Sequence, residues 1–464
     1  MNHAHFIGIA GIAMSAVALL LREKGWSVSG SDEGFYPPAS EILPAAGITI
    51  ATPHAAGNIP AETTLVVIGK HATLTEAGNP EVAEAFKRHR ESGLPLQSYP
   101  EVLAMLTEGR DNIVVCGSYG KSTTASLTTW FLQHAGVDCG YMLGARAVNF
   151  ESNSHLGKAP VFVMEGDEYP SSNTDMRAKF LHYVPSTVVL TSAQHDHPNI
   201  FPTHADYLKP FQELLGKLTP ANLLVVCADD AHAMALVSHT KARVVGYGLE
   251  AGDYRASDVV YGATTTFTLT KNGAPLAKLA TTELGAHNVQ NMVGAAAALL
   301  ENGLVSADKL APALLAFKGV KRRMERLTPV GKLPMYEGFG SSADKAVSAI
   351  AAMKLHFPHN RLVAVFEPHT FGWRNPVNLP DYDTTFDGVD ELFVYPPHSG
   401  AGQLSHADIL GRLQGAFKGH IHPLGMDLQA NVAAIEAVVK PADVVLILTS
   451  GDLGGLITVL PARV

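Results

Sequence analysis

Short hydrophobic runs alternate, along nearly the whole chain, with longer segments in which apolar positions recur at helical spacing. The run HFIGIAG precedes a helical segment from Met14 to Lys24, and SVSGSD forms the next short run. The runs TLVVIG and NIVVCG, at 64–69 and 112–117, are almost entirely apolar and end in glycine. Buried strands that alternate with amphipathic helices are typical of open, mostly parallel sheets. We therefore predict an α/β fold.

The strand–helix pattern restarts twice, which indicates three domains. A polar stretch, LTEGRDN at 106–112, separates the first group of strands from the second, and a third group begins around FKGVKRRMERL at 317–327. A chain of 464 residues is also long enough for about three domains. The predicted domains are 1–108, 109–320 and 321–464.

The composition narrows the class of protein. The chain is 47% hydrophobic and 17% charged, and its net charge of -9 gives no reason to expect a nucleic-acid surface or a polybasic membrane patch. The sequence contains no stretch of about 18 uncharged apolar residues of the kind that would suggest a transmembrane span. The three cysteines form no C-x-x-C pair, which fits a reduced setting. We expect a cytoplasmic protein that binds neither nucleic acid nor membrane.

The segment VVCGSYGKSTTASL, at 114–127, indicates a phosphate-binding loop. A glycine, a lysine and two hydroxyl residues follow the predicted strand and open a predicted helix: Gly120, Lys121, Ser122 and Thr123. Glycines let the backbone approach phosphate oxygens, N–H groups at the helix start point at them, and lysine reaches the β- and γ-phosphates. Val115 stands where the usual first glycine is expected, but the short form G-x-x-G-K-[ST]-[ST] begins at Gly117.

Acidic and histidine residues follow two later strands. The run VFVMEGDEY ends with Glu165, Asp167 and Glu168, and TSAQHDHPNIF contains His195, Asp196 and His197. Carboxylates at the carboxyl ends of strands face the usual ligand crevice of an α/β sheet. Each cluster alone also fits a solvated loop, but two clusters after one phosphate loop favour a Mg²⁺ site.

The N-terminal run GIAGIAM imitates a dinucleotide fingerprint, with Asp32 about 20 residues further on. It lacks the full G-x-G-x-x-G pattern, because Gly8 and Gly11 are three apart and Met14 occupies the last glycine position. A dinucleotide oxidoreductase would also leave the loop at Lys121 without a role. This alternative is therefore disfavoured.

Taken in order, these motifs resemble those of the Mur ligase family, whose shortened phosphate loop reads G-T-H-G-K-T-T. LGAHNVQN at 284–291 is similar to the family's G-x-H-N-x-x-N motif, and FKGVKRRME at 317–325 to F-x-G-V-x-R-R. The resemblance covers essentially the whole chain. It implies a three-domain architecture: a Rossmann-like N-terminal domain for a UDP-sugar, a P-loop central domain for ATP, and a Rossmann-like C-terminal ligase domain for the incoming amine.

By position, the resemblance implies three groups of site residues. The UDP-sugar would be bound by Gly8, Gly11, Met14, Ser31 and Asp32. ATP would be bound by Gly117, Ser118, Gly120, Lys121, Ser122, Thr123, Asn288, Asn291 and Arg323. Mg²⁺ would be held by Ser122, Glu165 and His197, and the catalytic residues would be Lys121, Glu165 and His197. Because Mg²⁺ prefers oxygen ligands, the metal role of His197 depends on the resemblance alone.

Within the family, several segments resemble the branch that works in peptidoglycan recycling. They are GSDEGFYPPAS, VVIGKHATLTEAGNPEV, LGARAVNFESNS, EGDEYPSSNTDMRAKFLHY and TSGDLGGL. The resemblance implies an ATP- and Mg²⁺-dependent ligase, monomeric or weakly dimeric. It would join UDP-N-acetylmuramate to the tripeptide L-Ala-γ-D-Glu-meso-diaminopimelate through an acyl phosphate. An L-alanine ligase, a ligase for another amine and a non-catalytic sensor of UDP-muramyl compounds stay open.

The third predicted domain departs from the family pattern. Relatives read D-D-[YF]-A-H-H-P-T where this chain reads YEGFGSSADK, at 336–345. Gly338 stands where an acidic residue normally faces the nucleotide, and Ser341 and Ser342 replace two histidines. The sequence therefore leaves the amine substrate open.

Overall fold

The structure is a computed structural model that describes residues 2–36, 39–197, 200–329 and 331–464. Its first sheet is parallel, with strand order β3-β2-β1-β4-β5. The strands are β1 (His3–Ile7), β2 (Ser27–Ser31), β3 (Thr49–Ala51), β4 (Leu65–Ile68) and β5 (Leu96–Gln97). The helices are α1 (Ile12–Glu23), α2 (Ala39–Ala45), α3 (Pro80–Ser92) and α4 (Tyr99–Leu106). Pro37 and Pro38, in the segment GSDEGFYPPAS, lie outside the described residues.

The second sheet has ten strands in the order β15-β14-β13-β12-β11-β10-β6-β9-β7-β8. They are β6 (Asp111–Cys116), β7 (Gly140–Met142), β8 (Ser154–His155), β9 (Val161–Gly166), β10 (Thr187–Leu190), β11 (Leu223–Cys227), β12 (Arg243–Gly248), β13 (Tyr254–Val260), β14 (Thr265–Lys271) and β15 (Ala274–Thr281). The helices are α5 (Lys121–His134), α6 (His204–Gly216), α7 (Ala231–Ala235), α8 (Ala286–Glu301) and α9 (Ala307–Ala316). Strands β6, β9, β10, β11 and β12 are parallel, and β8 runs antiparallel to β7.

The third sheet has the order β16-β17-β21-β18-β19-β20 and is parallel except for β16. Its strands are β16 (Arg323–Arg326), β17 (Met335–Phe339), β18 (Leu362–Phe366), β19 (Glu391–Val394), β20 (His420–Pro423) and β21 (Val444–Thr449). The helices are α10 (Ala343–His356), α11 (Phe371–Arg374), α12 (His406–Ala416), α13 (Leu428–Glu436) and α14 (Leu456–Val459). The predicted parallel α/β fold is therefore confirmed.

The chain forms two compact units. The first comprises Met1–Ser257, Thr268–Leu279 and Val289–Phe317, and the second comprises Asp258–Phe267, Ala280–Asn288 and Lys318–Val464. In the first unit, one continuous hydrophobic cluster includes residues from α1 and from β9. The predicted boundary near 109 lies inside this unit, so the three-domain division stays a prediction.

The strand order explains where the candidate site lies. Strand β6 is hydrogen-bonded to β9 on one side and to β10 on the other. Because all three are parallel, their carboxyl ends meet at one edge of the sheet, which brings the segments 117–120, 165–168 and 191–197 together. Among the described residues, no helix is long and apolar enough to cross a membrane.

Candidate active site

The phosphate loop connects β6 to α5 and depends on two glycines. Gly117 has φ 133°, and a Cβ there would lie 2.4 Å from Thr191 Oγ1. Gly120 is the residue before α5, with φ 83°, and a Cβ there would lie 2.5 Å from Asn291 Oδ1. Both positions thus combine a left-handed backbone with a close approach that only glycine allows. Asn291, one of the predicted ATP-binding residues, lies against the phosphate loop.

The segment after β10, residues 191–194, supports this loop through hydrogen bonds. Ser192 accepts hydrogen bonds from the N–H groups of Ser118 and Tyr119, at 3.2 and 2.9 Å. The Ser118 hydroxyl donates to the Gln194 carbonyl at 2.5 Å and accepts from Tyr207 at 2.9 Å. These contacts direct the Ser118 side chain into the protein, so Ser118 shapes the loop, and the N–H groups at the start of α5 are the ones that would bind phosphate.

Lys121 and Glu168 form the central ion pair. Lys121 Nζ lies 3.0 Å from Glu168 Oε2 and 2.5 Å from the Gly117 carbonyl oxygen. Burial alone would lower the pKa of Lys121, but Glu168, Glu165 and Asp167 outweigh it and raise the pKa. Burial raises the pKa of Glu168, against the opposing effect of Lys121. Lys121 and Lys179 thus pair with Glu168 and Asp167, and the negative charge of Glu165 that remains favours a further cation.

Glu165 is the carboxylate best placed to hold that cation. Its Oε1 accepts from the Ser122 hydroxyl at 3.0 Å, and its Oε2 accepts from the Gly144 N–H at 2.9 Å. Both of these partners are uncharged, whereas Asp167 and Glu168 are each bound by a lysine. Within the described ranges no group of three or more His, Cys, Asp or Glu side chains has metal-binding geometry. One carboxylate and one hydroxyl fit Mg²⁺, which keeps several waters and takes phosphate oxygens as ligands.

The structure does not bring His197 to Glu165. His197 Nε2 lies 3.4 Å from Asp196 Oδ2 and 3.6 Å from Glu168 Oε1, and its ring meets the Tyr169 ring edge-on, with centroids 4.6 Å apart. His195 Nε2 instead bonds the carbonyl of Phe201 at 2.8 Å. His197 is thus next to the Lys121–Glu168 pair, and its predicted metal role stays a prediction.

The predicted UDP-sugar residues lie at the carboxyl end of the first sheet. The Ala10 N–H donates to Asp32 Oδ2 at 2.8 Å, and the Ser31 carbonyl accepts from the N–H groups of Gly8 and Ile9. Gly11 precedes α1 and is exposed. This arrangement fixes an open backbone loop, 8–11, against the end of β2. We name it the nucleotide-sugar loop.

Two of the predicted sugar-site side chains point into the protein instead. Met14 is only 5% exposed and packs in the hydrophobic core. The Ser31 hydroxyl donates to Glu81 Oε1 at 2.7 Å and is hydrogen-bonded to His54 Nδ1 at 2.8 Å, and all three side chains are buried. Whether a side chain faces a ligand or the protein interior depends on its direction, and strand and loop patterns in the sequence do not show that direction. Ser31 therefore positions the nucleotide-sugar loop through its backbone.

Glu81 is the centre of a buried polar network that the sequence analysis missed. Its carboxylate bonds His5 Nε2 at 2.6 Å, Ser31, and the Asn58 amide at 2.9 Å. Burial alone would raise the pKa of Glu81, but the hydrogen bonds from these three side chains outweigh it and lower the pKa. In the sequence Glu81 is an ordinary acidic residue in the first turn of a helix, a common position for acids, so its burial could not be predicted from the pattern.

In the second unit, the predicted nucleotide residues lie near the start of the third sheet. The Asn288 amide donates to the Leu284 carbonyl at 2.8 Å. Arg323 is exposed, and its guanidinium lies over the Phe339 ring, 5.7 Å from the centroid. Its neighbour Arg322 instead donates to Glu337 Oε1 at 2.9 Å and to the Gly451 carbonyl. Arg322 thus connects the ends of β17 and β21, and the ATP-binding role of Arg323 stays a prediction.

Position 338 faces the core rather than a ligand. A Cβ on Gly338 would lie 3.1 Å from Ala349 Cβ and 3.3 Å from Leu448 Cδ2. The sequence-based expectation that an acid here would face the nucleotide therefore does not fit this backbone.

We expect Gly338→Asp to lower the free energy of unfolding by about 3 kcal/mol, because it buries an unpaired carboxylate among apolar side chains. Gly338→Ala, the matched control, should cost clearly less, since it adds only the crowded methyl group. Urea unfolding measures both. A Gly338→Asp protein of wild-type stability that binds ATP more tightly would contradict this orientation.

Glu283 is a buried carboxyl group in the same unit. It is 8% exposed, and a Cβ on Gly319 would lie 2.7 Å from both of its carboxyl oxygens. Burial, and next the Glu325 carboxylate, raises the pKa of Glu283 to about 8. Between the unfolded value of 4.5 and this value, the folded state keeps a proton that the unfolded state loses. The contribution of Glu283 to stability therefore falls as pH rises through this window.

We expect Glu283→Gln to be close to wild type in stability near pH 5 and more stable than wild type near pH 9, because the amide removes this loss. Thermal unfolding of both proteins across this range is the measurement, with Glu250→Gln at an exposed site as the control. A stability difference that does not change with pH would contradict the assignment.

Comparison with known proteins agrees with the fold and the site. The family model "Mur ligase family, catalytic domain" matches residues 3–110, and "Mur ligase middle domain" matches residues 115–299. With the phosphate loop and its strand-end carboxylates, these matches define the class of protein: an ATP-dependent ligase that forms amide bonds. The chain belongs to the Mur ligase family.

Three relatives show how far the similarity extends. The UDP-N-acetylmuramate–L-alanyl-γ-D-glutamyl-meso-2,6-diaminoheptandioate ligase of Escherichia coli is 28% identical over 458 residues, covering 97% of this chain and 96% of that protein. The UDP-N-acetylmuramate–L-alanine ligase of Burkholderia multivorans is 31% identical, covering 100% and 97%. The crystal structure of a murein peptide ligase from Psychrobacter arcticus has a TM-score of 0.68 and 25% identity, covering 100% and 98%.

Proposed function

We propose that this enzyme joins the lactyl carboxylate of UDP-N-acetylmuramate to the amino group of L-Ala-γ-D-Glu-meso-diaminopimelate, at the expense of ATP, in peptidoglycan recycling. The observation that carries the proposal is the combination, within one unit, of the nucleotide-sugar loop and the Lys121–Glu165–Glu168 centre. Full-length similarity to peptide-adding ligases supports the choice of amine. A cytoplasmic location, where ATP is available, goes with this proposal.

The first step of the reaction brings two negatively charged groups together, the lactyl carboxylate and the γ-phosphate of ATP. A carboxylate oxygen attacks the γ-phosphorus, ADP leaves, and an acyl phosphate forms. At about 4 Å, two unit charges repel by roughly 4 kcal/mol at an effective dielectric of 20. Lys121 and the N–H groups at the start of α5 offset that repulsion and stabilise the charge that develops during transfer.

Mg²⁺ would be held by Glu165 and Ser122, and when bound it would supply positive charge beside the phosphate oxygens. Tyr207 and Ser192 keep the phosphate loop in place through their hydrogen bonds to Ser118 and Tyr119. In the second step the amine attacks the acyl carbon and phosphate leaves, which requires positioning of both substrates.

A specific feature favours the tripeptide over L-alanine. The segment EGDEYPSSNTDMRAKFLHY resembles the recycling branch, and in the structure it forms a closed loop, 167–179. Asp175 binds Arg177 through both carboxylate oxygens, and Lys179 binds Asp167 at 2.5 Å. The residues typical of that branch therefore build a defined loop beside the phosphate site. The L-alanine ligase is the second candidate, because relatives of that activity cover the whole chain.

The amine is tested by measuring ADP release with ATP, UDP-N-acetylmuramate and one amine at a time. The amines are the tripeptide, the dipeptide L-Ala-D-Glu, L-alanine and glycine. We expect the largest kcat/KM for the tripeptide. A larger value for L-alanine would replace this proposal by the second candidate. If the protein binds UDP-N-acetylmuramate without ATP but releases no ADP with any of the amines, the result would favour a non-catalytic sensor.

A further inference from the structure

Two lysines lie on the segments that connect the nucleotide-sugar loop with the phosphate site: Lys179, which binds Asp167, and Lys70, which follows β4. Lys179 Nζ lies 2.5 Å from Asp167 Oδ2, and its side chain is 16% exposed. Its ammonium also faces the rings of Tyr99 and Tyr169, 5.4 and 5.7 Å from the centroids. Lys70 follows β4 and is exposed. Neither lysine belongs to the motifs that bind phosphate.

Lys70 stands beside the nucleotide-sugar loop. The N–H of Gly69 donates to the Ile7 carbonyl at 2.9 Å, and a Cβ on Gly8 would lie 3.9 Å from Gly69 Cα. The residue before Lys70 therefore touches the first glycine of that loop. Because β1 and β4 are parallel neighbours, Lys70 projects from the same sheet edge as the loop.

Lys179 ends the loop 167–179, which starts beside the phosphate site and reaches the segment after Lys70. Asp167, its partner, lies between Glu165 and Glu168 in the chain. At the tip of the loop, the Asn173 amide donates to the carbonyls of His71 and Leu74, at 2.7 and 2.9 Å. The loop is thus fastened to the segment that immediately follows Lys70.

The two lysines differ in their partners. Asp167 is bound by Lys179, and among the described residues Lys70 forms no ion pair. Burial lowers the pKa of Lys70, and repulsion from Lys179 lowers it further, while Asp167 acts in the opposite direction. An anionic ligand placed here would relieve this repulsion.

Building on the proposed function, we propose that Lys70 binds the lactyl carboxylate of the acyl donor. Lys179 positions Lys70 for this contact by holding Asp167 and the loop 167–179. The reacting carboxylate must lie between the bound nucleotide sugar and the γ-phosphate, and the two segments that carry Lys70 and Lys179 meet through the hydrogen bonds of Asn173. Lys70 would compensate the charge of the carboxylate before ATP reacts with it. The lysine pair would also select donors that carry a lactyl group over nucleotide sugars that lack one.

The test compares two nucleotide sugars that differ at this group. UDP-N-acetylglucosamine has the same uridine, diphosphate and sugar ring as UDP-N-acetylmuramate but no lactyl carboxylate. Dissociation constants for both are measured by calorimetry without ATP or metal, for wild type and Lys70→Met. We expect about 10-fold weaker binding of UDP-N-acetylmuramate by the variant, the loss of one charged contact, and unchanged binding of UDP-N-acetylglucosamine.

Matched variants complete the design. Lys70→Arg should keep most of the selectivity, because it keeps the positive charge. Lys179→Met should show the same selective loss and Lys179→Arg should restore it, whereas a purely structural role would weaken both ligands alike. Lys87→Met, at an exposed lysine on α3, should change neither constant.

Equal weakening of both ligands in Lys70→Met would mean that Lys70 binds the diphosphate, and unchanged binding of both would mean a solvated lysine. Either result overturns the proposal. A wild-type enzyme that does not bind UDP-N-acetylmuramate at all would instead contradict the proposed function.

Discussion

Replacing Lys121 by methionine is expected to lower kcat/KM for ATP about 10³-fold, which corresponds to about 4 kcal/mol of transition-state stabilisation. The ammonium group of Lys121 is fixed by the Gly117 carbonyl and by Glu168, at the first residue of α5. It therefore lies at the helix start, where we propose that the γ-phosphate binds. Binding of UDP-N-acetylmuramate should stay near wild type, because the nucleotide-sugar loop is a separate element.

The Lys121 variant needs a stability control, since it leaves the fully buried Glu168 carboxylate unpaired. Breaking a buried pair in this way costs about 3 kcal/mol or more. The double variant Lys121→Met with Glu168→Gln removes the unpaired charge and should recover stability but not turnover. Lys209→Met, at a lysine that is 70% exposed, controls for the loss of a lysine as such. Turnover that returns with stability in the double variant would show that Lys121 is only structural.

Glu165→Gln should lower turnover about 10²- to 10³-fold and raise the Mg²⁺ concentration needed to stabilise the ATP complex. The amide keeps an acceptor for the Ser122 hydroxyl, so the variant removes charge with little change in shape. The measurement is the rise in melting temperature with ATP as Mg²⁺ is titrated, alongside turnover.

The control for Glu165 is Glu151→Gln, which removes an exposed carboxylate from the same unit. It should leave both the titration and turnover unchanged. An Mg²⁺ titration of Glu165→Gln that superimposes on wild type would exclude Glu165 as the metal carboxylate, whatever happens to turnover.

The sequence alone was sufficient to predict the α/β fold and the glycine-rich turn between β6 and α5, and the reason is physical. Strands β6 and β10 are buried almost throughout, so their hydrophobic runs are unmistakable. The motif around Lys121 is local, since its glycines, lysine and hydroxyls all act within one strand–loop–helix turn. The adjacent carboxyl ends of β6, β9 and β10 then follow from parallel pairing.

Features that depend on distant contacts could not be predicted in the same way. Strands β13–β15 carry exposed and polar positions and were not recognised as part of the second sheet. The inward turn of the Ser118 hydroxyl depends on Tyr207, which is 89 residues away. The orientation of Gly338 depends on its packing against α10 and β21, and the Asp167–Lys179 pair depends on a closed loop. Such side-chain directions are set by tertiary packing, and periodicity does not encode them.

Isotope transfer tests the central claim, that ATP activates the carboxylate of the acyl donor. UDP-N-acetylmuramate labelled with ¹⁸O in both lactyl carboxylate oxygens is incubated with ATP, Mg²⁺ and the tripeptide, and the products are analysed by mass spectrometry. An acyl phosphate hands one carboxylate oxygen to phosphate when the amine displaces it. We therefore expect one ¹⁸O in each inorganic phosphate and one in each new amide. Phosphate without the label, or ADP formed without the amide, would contradict it.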